Sequence, residues 1–427
     1  MEDINNIYFN LLKENLGTRK DVISMFCKKS RPNGNAIPYS IAPQSILEEF
    51  SVYNYSDIKK LKARDNFSIK LNLIKMQAGL GSSVKRNDVI QKFAGRSELG
   101  AKGTDLFFQI DSKYRSISEL QLCQAVSLEE EKKFSEICYI NLVNEETRDV
   151  VSQDWEKICN QKSYHEIFSE SSVLKKGEEI FQKKMPTIDE KGELSSERMA
   201  PAGHGFVGIS EIVKVYNEPE SDGITVIGNG EDLNSTPEIP LINWVAEKEI
   251  PIAMITTTKT KSDLKGGQIS LLIEGDKKFL TIVEKAQAEE SNQLEYFEQM
   301  GLREGDRKAL FNTNVVVVNE AALSKKLRLL NFESLNDFLM EVAPDVISNK
   351  KQQNGKTFTQ LESALGSVML NLDRYFRNAM GEKIVSIVNI DEEDRESFFI
   401  PIKKREDYDD LLESYRVNPK SFRLERK

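Results

Sequence analysis

Ile69-Lys70-Leu71-Asn72-Leu73-Ile74-Lys75-Met76-Gln77-Ala78-Gly79-Leu80-Gly81-Ser82-Ser83 is the stretch that decides the fold. Residues 69–76 form an apolar-rich strand that runs straight into a glycine loop. Glycine permits backbone conformations with positive φ and lets amide N–H groups approach an anion closely. A strand leading into such a loop is where doubly wound sheets bind nucleotides. Alone, the loop fits an ordinary tight turn equally well. It lacks both the third glycine of the dinucleotide fingerprint and the Gly-Lys-Ser/Thr ending of a Walker loop. Lys85, Arg86 and Lys102 put positive charge nearby, as a solvated face would too.

Further strands are expected at 137–143, 224–227, 250–257 and 315–318, interleaved with helical stretches such as 239–248. That alternation predicts an α/β fold with a doubly wound, mixed but mostly parallel sheet. Residues 269–273 and 279–283 flank Glu274-Gly275-Asp276 and read as an added hairpin. Residues 183–203, rich in Lys, Glu, Ser and Pro, read as a mobile loop. A helix over 361–380 leads to a strand at 384–390, and a short helix at 407–415 precedes a basic tail. Residues 1–66 are polar with apolar positions spaced for one helical face (Ile7, Leu11, Leu12; Ile46, Leu47, Phe50). They read as an N-terminal helical extension packed on a body that spans 67–427 and ends in a helical tail.

Composition narrows the function classes. A net charge of −9 argues against nucleic acid as the main partner, since duplex binding requires a basic face. It leaves an anionic small molecule open. The four cysteines (Cys27, Cys123, Cys138, Cys159) have no Cys-x-x-Cys pairing and there are only two histidines, His165 and His204. That excludes a convincing zinc site and any scheme that needs several histidines, and it argues against a disulfide framework. No apolar run reaches bilayer length, and the N-terminus shows neither a basic start nor an apolar stretch; the expectation is a cytoplasmic protein off the membrane.

Two more constellations bear on chemistry. In Pro201-Ala202-Gly203-His204-Gly205 a histidine between glycines sits on pliable backbone, as a ligand-contacting loop or a plain glycine turn would have it. Asn229-Gly230-Glu231-Asp232 follows a strand, where carboxylates are placed to hold Mg²⁺ carrying phosphates; an acidic turn would look the same.

Taken in order, these pieces resemble the UTP–sugar-1-phosphate uridylyltransferases, closest to the eukaryotic UDP-glucose pyrophosphorylase type. The family's glycine loop is similar to Ala78-Gly79-Leu80-Gly81-Ser82, its Gly-Pro-Lys to Gly100-Ala101-Lys102, and its Pro-Gly-His-Gly to Ala202-Gly203-His204-Gly205. Its central signature matches Met254 through Gly267 almost residue for residue. Glu284-Lys285-Ala286-Gln287, Phe311-Asn312-Thr313-Asn314, Gln360-Leu361-Glu362-Ser363-Ala364 and Phe399-Ile400-Pro401-Ile402-Lys403 follow in the family's order. The resemblance implies a Rossmann-like nucleotide-diphospho-sugar transferase fold and the joining of UTP to a sugar 1-phosphate, with Mg²⁺. It implies Lys102, Lys265 and Lys403 as the catalytic cations. Ala78, Gly79, Leu80, Gly81, Ser82, Gln182 and Gly203 would hold the nucleotide. His204, Asp232, Gly267, Glu284, Asn312 and Asn314 would hold the sugar phosphate, and Glu231 the metal.

Glucose 1-phosphate is the expected acceptor. The alternatives are another sugar, such as N-acetylglucosamine or galactose, a broad range of sugars, or a non-catalytic sugar-nucleotide-binding homologue. Ala78 stands at the family's first loop glycine, where an added methyl narrows backbone freedom. Glu231 stands at an aspartate of the family, one methylene longer. Family members of eukaryotic type continue into a C-terminal β-helix domain that carries oligomer contacts; with the last residue at Lys427, a monomer is the expectation.

Overall fold

The computed structural model describes residues 41–42, 50–61, 69–131, 134–160, 171, 173, 178–182, 184–191, 194–201, 203–260, 263, 266–301, 309–353 and 355–427. Most of the 1–66 segment, together with Cys27, His165, Ala202 and Lys265, lies outside the described residues.

The strand Lys70–Met76 is buried along nearly its whole length, as a strand covered on both faces must be. It pairs in parallel with Ile224–Asn229 on one side and with Glu136–Val143 on the other. Outward from there the sheet runs to Glu178–Phe181 at one edge. In the other direction it passes through Leu310–Asn319, Ile252–Thr258 and Val385–Ile390 to Val52–Asn54. Leu310–Asn319 alone in that series is antiparallel to its neighbours, so the sheet is mixed and mostly parallel. Its Val315-Val316-Val317-Val318 run is completely buried.

One apolar core covers each face of the sheet. The helices Gly205–Asn217 and Leu365–Met380 lie on the first face; Ile117–Glu130 and Ile239–Glu247 lie on the second. The hairpin Gln268–Glu274/Lys277–Val283 joins the sheet as read from sequence. Two short strands, Ile41–Ala42 and Val52–Asn54, also pair with it, from the segment that the sequence pattern gave to helices.

Residues 183–203 are not simply a loop. Met185–Ile188 and Leu194–Ala200 pair antiparallel and belong to a separate four-stranded sheet with Val346–Gln353 and Lys356–Ser363. Lysine, glutamate and serine suit an exposed hairpin as well as a loop, and composition alone does not separate the two. Lys356–Ser363 also takes the first part of the helix expected over 361–380, which starts at Leu365. The C-terminal tail is a helix, Arg405–Ser414, followed by a hairpin of Tyr415–Val417 and Leu424–Arg426.

Candidate active site

The carboxyl ends of the parallel strands all open on one edge of the sheet, where doubly wound folds bind ligands. A cleft of about 890 Å³ lies there, within the usual range for small-molecule sites. Its floor is the loop Gly79–Ser83, and the four-stranded sheet forms the facing wall through Asn349, Lys351 and Glu362. Gly203, His204, Glu284, Lys285 and Asn314 also line it.

Gly81 has φ +54°, and a Cβ there would lie 2.6 Å from Lys102 Cγ. Glycine is therefore required twice, for conformation and for the lysine stem packed against it. Around Gly79 a Cβ would meet nothing within 4 Å. Ala78 is buried and is not among the described non-glycine residues with positive φ, so its methyl costs the loop no strain. Its carbonyl accepts a hydrogen bond from the Asn144 amide at the end of the neighbouring strand.

Lys102 stands over this loop. Its Nζ donates to Glu231 Oε1 at 2.6 Å and to the Ile402 carbonyl at 2.9 Å. Burial pushes the Glu231 carboxyl up, but the Lys102 ammonium overcomes that and holds it below its ordinary value. The other proposed cation, Lys403, is at the same corner. Ser83 Oγ donates to its carbonyl, and its Nζ lies 3.7 Å from Asp263 Oδ1 and 5.0 Å from the centre of the Phe311 ring.

Gly203, at φ +78°, and His204 enter the cleft at the start of the helix Gly205–Asn217, fastened by the His204 N–H to the Ser363 carbonyl. Burial holds the His204 imidazole below its ordinary value, so it is neutral at pH 7. Gln182 is buried behind this corner and donates to the Gly203 carbonyl at 2.6 Å.

On the opposite side, the ladder between Leu310–Asn319 and Ile252–Thr258 shifts register at Ile255/Thr256. The irregularity re-aims side chains, and Asn314 takes φ +58° and reaches the cleft. Asn312 is buried behind it and donates to Asn314 Oδ1 at 2.8 Å. Gly267 leaves room for Glu284, whose Oε1 would lie 2.4 Å from a Cβ on Gly267. Burial raises the Glu284 carboxyl to about 7, assisted by Glu362 and opposed by Lys259 and Lys403.

Asp232 does not face the cleft; it is fully buried, and its carboxylate accepts the backbone N–H groups of Asn234 and Ile400. It pins the turn that carries Glu231. The same turn is latched from the C-terminal hairpin, since Asn234 Nδ2 donates to the Leu424 carbonyl and Leu424 N–H donates to Asn234 Oδ1. Lys265 lies outside the described residues. Sequence reasoning missed Lys259, a buried lysine that donates to Gln268 and is pushed down to about 8 by burial. It also missed Arg395, which binds the Asp263 carboxylate. Lys259 falls within the Met254–Gly267 signature, whereas Arg395 has no local signal, because its contact with Asp263 is set by tertiary packing. Among the described residues no three His, Cys, Asp or Glu side chains converge as a metal cage, and no helix is long and apolar enough to cross a membrane.

A glycine loop, two lysines and a polar wall at the switch edge of a mixed sheet define the nucleotidyltransferase class of α/β fold. Residues 143–422 match the family model for UTP–glucose-1-phosphate uridylyltransferase, and the chain belongs to that family. It is 24% identical over 368 residues to UTP–glucose-1-phosphate uridylyltransferase 2 of Dictyostelium discoideum, covering 83% of this chain and 61% of that protein. With the enzyme of the same name from Musa acuminata it shares 26% over 357 residues, covering 81% and 63%. The chain thus spans less than two thirds of the length of these relatives. UDP-glucose pyrophosphorylase from Leishmania major has the same fold, with a TM-score of 0.68 at 18% identity, covering all of this chain and 82% of that one. A mutant of it solved in complex with UDP-glucose gives 0.69.

Proposed function

We propose that this chain transfers a uridylyl group from UTP to glucose 1-phosphate, giving UDP-glucose and pyrophosphate. The observation that carries the reading is the convergence of Gly79–Ser82, Gly203–His204, Glu284 and Asn314 on one cleft, with the Lys102 stem packed against Gly81. In this reading a phosphate oxygen of the sugar substrate, already ionised at pH 7, attacks the α-phosphorus of UTP. The bond from that phosphorus to the bridging oxygen breaks, and pyrophosphate departs with the electron pair. No general base is needed, which fits a neutral, half-buried His204 acting as a positioning donor.

The work left to the protein is alignment and charge neutralisation. Lys102, released from Glu231 and Ile402, and Lys403, released from Asp263, supply the cations, with Lys265 proposed as the third. Loop N–H groups hold phosphate oxygens. Gln182 ties itself to Gly203 and with it reads the base. Glu284, Asn312 and Asn314 accept and donate to sugar hydroxyls, with Gly267 making room for Glu284. Mg²⁺ takes one or two carboxylates and completes its shell with phosphates and water, so the single carboxylate of Glu231 fits it. When bound, it neutralises phosphate charge. A cytoplasmic monomer that binds neither nucleic acid nor membrane is part of the same proposal.

The test is pyrophosphate release from UTP with a panel of sugar 1-phosphates, with and without Mg²⁺. Turnover fastest with glucose 1-phosphate and dependent on Mg²⁺ supports the reading. Preference for another sugar moves it within the class. UDP-glucose binding without turnover on any sugar makes the chain a binding homologue and overturns it.

A further inference from the structure

We propose that Arg86 is a positioning residue that turns the N–H groups of the nucleotide loop toward the ligand; the proposal rests on the functional reading above. The guanidinium is completely buried beneath the loop and uses all five of its donors. Nε donates to Asp105 Oδ2 at 2.8 Å. One terminal nitrogen donates to the carbonyls of Gly81 at 2.9 Å and Val84 at 3.1 Å. The other donates to the carbonyls of Leu80 and, at 2.9 Å, Gly100. A single side chain thereby gathers both ends of the phosphate corner, the glycine loop and the turn that begins Lys102.

The orientation follows from the peptide unit. In a trans peptide the C=O and the next N–H point in opposite directions, and no peptide bond here is cis. Drawing the Leu80 and Gly81 carbonyls down onto Arg86 turns the N–H groups of Gly81 and Ser82 away from it. Those N–H groups donate to no protein acceptor among the described residues, and Gly81 and Ser82 line the cleft. Successive free N–H groups on a curved loop make an anion nest. The charge beneath the loop is also suited to anions, because Asp105 is shared between Arg86 and Arg96. Two cations face one carboxylate there. Lysine offers three donors from one point and cannot reproduce this pattern.

The experiment compares wild type, Arg86→Lys and Arg86→Ala in the full chain. UTP affinity is measured by calorimetry, KM for each substrate by pyrophosphate release, and folding by thermal melting. Both variants should weaken UTP binding by about tenfold or more, while KM for the sugar 1-phosphate at saturating UTP changes less than about twofold. Methylguanidinium should restore UTP binding to Arg86→Ala and leave Arg86→Lys unchanged. A lowered melting temperature with wild-type UTP affinity would reduce Arg86 to a structural role and overturn the proposal. Should neither variant fold, the wild-type chain labelled with ¹⁵N-glycine still decides, because the Gly81 amide resonance must move when UTP is added. An unmoved Gly81 amide overturns it. Wild type that binds UTP without releasing pyrophosphate sinks the transferase reading and leaves Arg86 to be judged by binding; absence of UTP binding in wild type sinks both.

Discussion

On the side of the cleft built from residues 77–105, cations are fixed by protein partners: Arg86 by four carbonyls and by Asp105, which it shares with Arg96, and Lys102 by Glu231. On the side built from residues 267–314, Glu284, whose carboxyl is raised to about 7, faces the cleft with Lys285 and Asn314, and Asn312 lies buried behind Asn314. The first side is an electrostatic device that costs little reorganisation when a polyanion replaces Glu231 at Lys102. The second is a hydrogen-bonding surface of low net charge, which suits neutral hydroxyls and would repel a phosphate weakly at most. The contrast teaches that the two ends of a sugar nucleotide are separated by chemistry before any shape is considered.

The sharpest attempt to break that division is Lys102→Ala, which should lower turnover by about a hundredfold or more with the fold intact. Near-wild-type rates would remove the cationic side from the mechanism. Next in size is the pair Gly81→Ala and Gly79→Ala. The first forces a Cβ into the Lys102 stem at positive φ, and UTP affinity should fall on the order of tenfold. The second meets no atom and should leave the melting temperature unchanged; equal destabilisation by both would show that the loop is held by something other than the Lys102 packing.

Asn314→Ala probes the other side. It removes a neutral hydrogen-bonding group worth roughly 1 kcal/mol, so KM for the sugar 1-phosphate should rise about fivefold while KM for UTP stays put. A rise in the UTP value instead would collapse the separation. The smallest effect is in pH dependence. Glu284 binds its proton more tightly in the folded chain than in the unfolded one. Its contribution to stability is therefore full at low pH and is lost as pH rises through about 7. Glu284→Gln removes this, so the variant's melting temperature relative to wild type should increase between about pH 5 and about pH 8. A pH-independent difference would mean that the carboxyl is ordinary.

Much of this molecule was legible in the chain. The strand into Gly79 and Gly81, the order of strands and helices and the 269–283 hairpin follow from period and turn chemistry, which are local. The four-stranded sheet was hidden because its Met185–Ile188/Leu194–Ala200 hairpin has the composition of a loop and finds its partner strand far away, with Thr359 opposite Ile188. Arg86 read as a solvated cation for the same reason. Its burial depends on Gly100 and Asp105 folding back over it, which no window around residue 86 reveals. Asp232, taken with Glu231 as one acidic turn, points inward because Ile400 supplies an amide from a distant segment. Where a role depends on sequence-distant backbone, residue type and spacing carry no record of it.

The latch between Asn234 and Leu424 gives the site a position in time. Those two residues are 190 apart in sequence, and each gives the other a hydrogen bond. A chain leaving the ribosome displays Glu231 long before Leu424 exists. Contacts of such separation form late because loop closure must precede them. The turn that aims Glu231 at Lys102 is thus among the last parts of the cleft to become rigid, and a nascent chain carries its phosphate corner unfinished until the strand Leu424–Arg426 has docked.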